Sequence, residues 1–385
     1  MTVEQENNVV TIDLKSVEKW LSALKATNKN SIAIICHDQP DPDCLASAMA
    51  MQAIVESIGK VSTIFYGGEI PYTQNSVMMN VLNISATKLE VDEDNEEESI
   101  QQIRDNILNS FIVVVDTSCS FGKENNTSLA LFVDKDKKAD AVIDHHSINP
   151  YLDCQNYINK QYGSCSTIMF EILNVLNIPI SKSLATALYL GISTDTVDLK
   201  SEGTVENDKD ALNSLRSLMD IELLRKIYDY PKPLALLELR KRAYCGFSIC
   251  GNNLTITNVG IVNSQQRALV AKLCEEMLEI ESIESALVMG MVDEGFDRPK
   301  YLIASFRTGV LAINVSQFIQ KIFGKKNGGG RRGAGAAKVP LDDKLCSVID
   351  FVRRQNPDSN EEVEKLIAPF FSFYADKTKQ EKSNV

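Results

Sequence analysis

Ser31-Ile32-Ala33-Ile34-Ile35-Cys36-His37-Asp38-Gln39-Pro40-Asp41-Pro42-Asp43 joins a β-branched apolar run to a turn that carries an imidazole and several carboxylates. The run 32–36 reads as a buried strand, and a helical pattern over 46–57 follows the turn. Strand, polar turn, helix is the opening of an α/β unit, and it recurs. Runs 61–66, 111–115 and 141–143 read as further strands, with 166–176 and 183–190 as helices. This alternation predicts an α/β domain: a mostly parallel sheet with flanking helices. Ligands bind such sheets beyond the carboxyl ends of the strands, where the polar turns fall.

A second alternating unit follows. The stretch 206–242 reads as helical and as the connection between two lobes. Beyond it, 254–258, 285–292 and 300–306 read as strands, and 264–278 and 314–323 as helices. A Gly-rich segment, 328–337, precedes helical stretches at 341–354 and 361–374. The expected organisation is a first lobe over 28–230, a linker over 231–250 and a smaller α/β lobe over 251–375. The charged tail 376–385 is expected to be disordered. The acidic run 92–98 reads as a solvated loop or helix start.

The 385 residues suit two domains, and 44% hydrophobic with 24% charged residues is an ordinary globular balance. No apolar run is long enough to span a membrane, and the polar, acidic first residues are unlike a targeting peptide. Nine cysteines without C-x-x-C pairs suggest reduced thiols and a cytoplasmic setting. A net charge of −12 opposes tracking along a long nucleic-acid backbone. It allows small phosphates, because a few placed cations reverse the local field. The partner expected is a short nucleotide or oligonucleotide, with neither membrane nor long nucleic acid; a homodimer is left open.

All three histidines stand beside carboxylates. His37 opens H-x-x-x-D-x-D, where Pro40 and Pro42 stiffen the turn and splay Asp41 and Asp43, so that the two could face neighbouring metals. Phe111-Ile112-Val113-Val114-Val115 ends in Asp116-Thr117. Asp144-His145-His146 closes the run 141–143, and Leu190-Gly191-Ile192-Ser193-Thr194-Asp195-Thr196 puts another Asp after an apolar run. A single Asp after a strand is ordinarily a cap or turn residue. Four such motifs together, holding every histidine, point to a hydrolytic site for divalent metal. Cys44 and Ser47 beside the first motif read as packing or helix-terminus residues.

In this order the motifs resemble the DHH phosphoesterase superfamily. The C-terminal half is similar to the associated substrate-binding domain of the subgroup containing oligoribonucleases and 3′-phosphoadenosine-5′-phosphate phosphatases. The resemblance spans residues 31–338. It implies one cation on His37, Asp41 and Asp116 and a second on Asp43, Asp116, His145 and Asp195, with Asp116 bridging. Asp144 would orient a histidine through its other ring nitrogen, and His146 would contact the scissile phosphate. Mixed nitrogen and carboxylate donors suit Mn²⁺, with Mg²⁺ as the alternative. The chemistry implied is two-metal activation of water, with no serine or cysteine nucleophile.

Gly328-Gly329-Gly330-Arg331-Arg332-Gly333-Ala334-Gly335-Ala336 has the makings of an anion-binding loop and resembles the family's substrate loop, with Arg331 where a histidine is usual. Arginine keeps its charge and grips phosphate, but it cannot cycle a proton as histidine does. Arg307 matches a substrate-contacting arginine, and Gly329, Gly330, Arg331 and Arg332 complete the expected substrate contacts. Lys325 and Lys326 read as rim charges. The expected activity is hydrolysis of short oligonucleotides, linear dinucleotides or a bis-phosphorylated nucleotide in a cleft between the lobes. The alternatives are an inorganic pyrophosphatase or exopolyphosphatase of the same superfamily, or a catalytically silent adaptor.

Overall fold

A computed structural model describes residues 12–90, 96–117, 128–133, 138–146, 154, 156–251, 253–293, 295–296, 298, 300–355 and 360–382. Much of the acidic run 92–98 lies outside the described residues. The chain divides into two units, Met1–Pro231 and Lys232–Val385.

The first unit runs α1 (Leu14–Ala26), β1 (Ser31–Ile35), α2 (Pro42–Ser57), β2 (Val61–Gly67), α3 (Thr73–Leu82), β3 (Ala86–Leu89), α4 (Glu96–Leu108), β4 (Phe111–Val115), β5 (Ala141–Asp144), β6 (Tyr157–Asn159), α5 (Cys165–Val175), α6 (Lys182–Asp195), α7 (Glu206–Leu218) and α8 (Ile221–Tyr228). The sheet order is β3-β2-β1-β4-β5-β6, and every pairing is parallel. Strand alternation sends Ile32, Ile34, Val113 and Val115 into a core shared with α2, α5 and α6. Ala33, Ile35, Ile112 and Val114 face the other way, onto Ile107 and Phe132. Burial on both faces is why these strands are uninterrupted apolar runs. From β1 the chain winds outward to β2 and β3, then returns to start β4 on the other side. The reversal opens a crevice at the carboxyl ends of β1 and β4, where ligands bind in sheets of this topology.

The second unit contains α9 (Leu234–Cys245), β7 (Ser248–Cys250), β8 (Leu254–Val262), α10 (Arg267–Leu278), β9 (Ser285–Val292), β10 (Tyr301–Thr308), α11 (Val315–Phe323), β11 (Gly328–Arg331), β12 (Ala334–Pro340), α12 (Asp343–Gln355) and α13 (Asn360–Lys382). Its mixed sheet runs β11-β12-β10-β9-β8-β7, parallel only between β8 and β9. One face packs on α9 and α10, the other on α11 and α13.

Four boundaries differ from the sequence reading. The first unit begins before residue 28: α1, capped by Asp13, buries Val17, Trp20, Leu21 and Leu24 at helical spacing. The stretch 206–242 is three helices rather than one, because Asp220 caps α8 and prolines at 231 and 233 precede α9. The expected linker 231–250 is part of the second fold, since α9 buries Leu236, Leu239 and Ala243, and β7 pairs with β8. The tail expected to be disordered continues α13 to Lys382. Thr378 and Lys382 are buried there, with Lys382 Nζ 3.2 Å from Ser285 Oγ and Lys377 Nζ donating to the Ile322 carbonyl at 2.6 Å. Long lysine stems cover apolar surface while their heads find acceptors, so charge alone misjudged this segment. Among the described residues, no helix is long and apolar enough to cross a membrane.

Candidate metal centre

The site is built at the crevice between β1 and β4. Just past β1, His37 Nδ1 donates to the Asp38 carbonyl at 2.9 Å, which leaves Nε2 facing Asp116 Oδ2 at 3.7 Å. Asp41 caps α2 by accepting from the Cys44 amide at 3.0 Å, and Pro42 occupies the first helical position, where no amide is needed. Asp43 is fully buried. Its two oxygens accept the Cys165 and Ser166 amides at 2.7 Å each. Those amides open α5, so a helix N-terminus holds this carboxylate in place.

Asp116 follows β4 with φ of 58°, a left-handed turn that Asp tolerates better than most residues. Its amide still donates to the Ile143 carbonyl, so the sheet continues as the side chain turns into the crevice. His145, just past β5, donates through Nδ1 to the Tyr162 carbonyl at 3.0 Å. Its Nε2 then lies 3.4 Å from Asp116 Oδ1 and 3.3 Å from Asp195 Oδ2. Asp144 is buried behind the crevice, and its Oδ1 accepts both the amide and the Nδ1–H of exposed His146, the latter at 2.8 Å. All three imidazoles therefore have Nδ1 anchored and Nε2 available.

Asp195 corrects one sequence expectation. It ends α6, not a strand; its apolar run is a buried helix, which periodicity cannot separate from a buried strand over so short a length. Gly191, in the same helix, explains how α6 comes so close. A Cβ there would meet Ser166 Oγ at 2.2 Å and both Cα and Oδ1 of Asp43 at 3.1 Å. Gly191→Ala should therefore push α6 off α2, destabilising the protein by about 1–3 kcal/mol and weakening cation binding. Thermal melts in chelator and Mn²⁺ titrations measure the two effects; an unchanged melt would mean that the helices are not in this close contact.

The donors form three overlapping trios whose ligand atoms lie within 4.8 Å of one another: His37, Cys44 and Asp116; Asp116, His145 and His146; Asp43, His145 and Asp195. Asp41 joins none of them. Cys44, expected only to pack, does. Asp116 is 2% exposed, and Asp116 Oδ1 and His145 Nε2 are buried without a hydrogen-bond partner. Such orphaned atoms cost about 1–3 kcal/mol each, and a cation would satisfy both. Burial and then the Asp195 carboxylate push Asp43 up to about 7. Burial, followed by Asp43, Asp41 and Asp195, holds Asp116 well above the carboxylate range. Burial depresses His145, but Asp195, Asp43 and Asp116 outweigh it and lift the imidazole to about 10. Surplus buried negative charge beside nitrogen and oxygen atoms that lack hydrogen bonds is the setting that a divalent cation fits.

The expected substrate residues belong to the second unit. Arg307 of β10 is half-buried and engaged, with Nη2 3.2 Å from Glu275 Oε1 and Nη1 3.1 Å from Ser305 Oγ. The Gly-rich segment is not an open anion-binding loop. It is the β11–β12 hairpin, turning at Arg332 and Gly333, where Gly333 has φ of 74°. A Cβ at Gly328, Gly330 or Gly335 would come within 2.6–2.8 Å of Ile319 or Val315. These glycines seat α11 on the hairpin. A Cβ at Gly329 would meet Ser316 Oγ at 4.0 Å, an ordinary contact, and positions 307 and 331 both register with Ala334, which places them in one row across the sheet.

Residues 31–192 match the DHH family, N-terminal domain. The first unit carries a DHH domain. An uncharacterized protein of Methanocaldococcus jannaschii is 31% identical over 322 residues, 83% of this chain; the chain spans 60% of that relative's length. A probable manganese-dependent inorganic pyrophosphatase of Listeria monocytogenes serotype 4a is 20% identical over 303 residues, covering 75% of this chain and 88% of that one. An exopolyphosphatase-related protein from Bacteroides fragilis shares the fold, with a TM-score of 0.62 at 16% identity over 93% of this chain and 97% of that one. In the DHH domain described here, sequence motifs located the imidazoles and carboxylates. They missed the groups that hold them: the α5 amides, the Tyr162 carbonyl and Gly191. Gly163-Ser164-Cys165-Ser166-Thr167 did carry a signal, a capping serine ahead of an apolar helix.

Proposed function

We propose that the protein is a divalent-cation-dependent phosphoesterase that hydrolyses short nucleotidyl phosphates: short oligonucleotides, linear dinucleotides or a bis-phosphorylated nucleotide. The observation that carries this reading is the buried convergence of His37, Asp43, Asp116, His145 and Asp195 at the sheet crevice, with Asp116 Oδ1 and His145 Nε2 lacking hydrogen bonds. Mn²⁺ suits this donor set best, Mg²⁺ less well. Cations held there lower the pKa of a bound water and offset charge on the phosphoryl oxygens. The chain's own residues do the rest. Asp43, locked by the α5 amides, and His145, locked by Tyr162, fix the donor geometry. His146 is 51% exposed and has Nδ1 held by Asp144, which leaves Nε2 to reach a phosphoryl oxygen.

The nucleotidyl preference rests on the second unit, where positions 307 and 331 share a row and Arg332 sits at the turn. Inorganic pyrophosphate is the competing substrate, favoured by the similarity to the Listeria pyrophosphatase across 88% of that protein. Mn²⁺-dependent hydrolysis of a 5′-labelled dinucleotide, a pentanucleotide, 3′-phosphoadenosine-5′-phosphate, pyrophosphate and polyphosphate separates the two. Release of mononucleotide or AMP supports the proposal; cleavage of pyrophosphate alone moves the function to the rival. Turnover of none of them would return the adaptor reading. Arg331→Ala should raise KM for the nucleotide roughly tenfold, about 1.4 kcal/mol of uniform binding, while a small chromogenic phosphodiester is cleaved nearly as before. Equal losses on both substrates would place Arg331 in the chemistry or the fold instead.

A further inference from the structure

Asp208, in the first turn of α7, is a fully buried carboxylate that joins none of the donor trios. Burying such a group is costly unless hydrogen bonds compensate, so its partners show what it does. Its Oδ2 accepts the Val205 amide at 2.8 Å, which caps its own helix, and the Gly163 amide at 2.9 Å. Its Oδ1 accepts the Thr167 hydroxyl at 2.6 Å. Gly163 and Thr167 bracket the turn into α5, where Ser164 Oγ accepts the Thr167 amide at 3.1 Å. Asn207, the preceding residue of α7, grips the start of that turn. Its side-chain amide donates to the Tyr162 hydroxyl at 3.1 Å and to Glu171 Oε1 at 2.6 Å. A Cβ on Gly163 would lie 2.6 Å from both Asp208 Oδ2 and Thr196 Cγ2, so the turn sits directly against the carboxylate.

Two donors of the centre rest on this one turn. Tyr162 offers the carbonyl that takes the His145 Nδ1–H, while Cys165 and Ser166 offer the amides that hold Asp43. We infer that Asp208 is a positioning residue of the centre: by fixing residues 162–167 it sets His145 and Asp43 relative to each other. Among the described residues, its own hydrogen bonds go to the turn and to α7, not to either donor. A carboxylate is suited to this place because it only accepts, and three donors converge on it. Asparagine can keep both amides on its carbonyl and turn its NH₂ toward Thr167, whose hydroxyl can rotate to accept. Alanine leaves the Gly163 amide without its acceptor and the turn without its anchor.

The inference rests on the reading of the cluster as a cation site, and two readouts keep them apart. The first needs no cation. The chain has only 3 histidines, so their Nδ1–H resonances can be followed singly by NMR of the full metal-free chain. In Asp208→Ala the His145 resonance should shift and exchange faster with water, while that of His37, anchored on the Asp38 carbonyl, stays in place. Asp208→Asn should leave both unchanged. So should Leu215→Ala, which loosens the buried face of the same helix without touching the turn. The second readout is Mn²⁺ titration. Affinity should fall roughly 10–100-fold in Asp208→Ala, as when a partner behind a metal ligand is lost, and hold in the other two variants. In a His145→Ala background Asp208→Ala should cost less affinity, because one of the donors it positions is already gone. Gly163→Ala, which drives the turn off the carboxylate from the other side, should reproduce both changes, and it carries the test if Asp208→Ala does not fold. An unmoved His145 resonance or undiminished Mn²⁺ affinity in Asp208→Ala would overturn the positioning role and leave the cation site standing, as would the same changes in Leu215→Ala. A wild-type chain that takes up no Mn²⁺ would overturn both.

Discussion

Replacing Asp116 should abolish turnover, by on the order of 10³-fold or more, without unfolding the protein. Asparagine is the cleaner substitution, since it tolerates the left-handed backbone at this position, whereas alanine adds about 1–2 kcal/mol of strain. In chelator, Asp116→Asn should melt no lower than wild type, because it removes a buried carboxylate facing Asp43, Asp41 and Asp195. The difference appears when Mn²⁺ is added. At a hundredfold excess over Kd, cation binding stabilises wild type by about 2.7 kcal/mol, about 5–10 °C for a domain of this size. The variant should lose most of that shift. Wild-type rates or an undiminished Mn²⁺ shift in Asp116→Asn would break the assignment.

The same cluster fixes how stability without cations depends on pH. Asp43 is raised from 3.8 to about 7, so the folded chain holds a proton that the unfolded chain has released, and stability falls as pH rises through that window. His37 and His145, each raised from 6.5 to about 10, are favoured when protonated and lose that stabilisation over their own, higher window. Melting temperature in chelator should therefore decline from mildly acidic to alkaline pH, and Mn²⁺ should flatten the decline. A melting temperature that climbs across the same range in chelator would mean that the carboxylates are solvated rather than packed together.

Much of this was legible in the sequence for one physical reason: period and position coincide. The runs at Ile32, Phe111 and Ala141 are short and β-branched, as doubly buried parallel strands are, and a polar residue at the end of each falls on one edge of the sheet. Chemistry at that edge is therefore legible in the sequence. What escaped notice depends on contacts between residues far apart in the chain. Nothing near Gly191 says that its missing Cβ makes room for Asp43, 148 positions earlier, nor does Cys44 announce His37 and Asp116 as neighbours. The glycines at 328, 330 and 335 were misread because flexibility and close packing call for the same residue, and only the seat of α11 distinguishes them. Lys382 was misjudged for a related reason, its charge hiding the burial of its stem.

Asp144→Asn should lower kcat by about 10–100-fold while leaving cation stoichiometry intact. Among the described residues, the Asp144 side chain hydrogen-bonds to His146 alone, whose amide and Nδ1 both donate to its Oδ1. Burial favours the protonated acid, but those bonds to His146 outweigh it and keep Asp144 below its ordinary value, an ionised acceptor near neutral pH. An asparagine in its place can offer its carbonyl or its amide to the ring. The ring then loses its fixed tautomer and its fixed orientation toward phosphate. A residue acting only through another has a diagnostic energetic signature. The double variant Asp144→Asn/His146→Ala should turn over no more slowly than His146→Ala alone, because once the ring is gone its anchor has nothing to position. Additive losses in that cycle would mean that Asp144 contributes by a second route, for which its other oxygen, buried and without a hydrogen bond, is the group to examine.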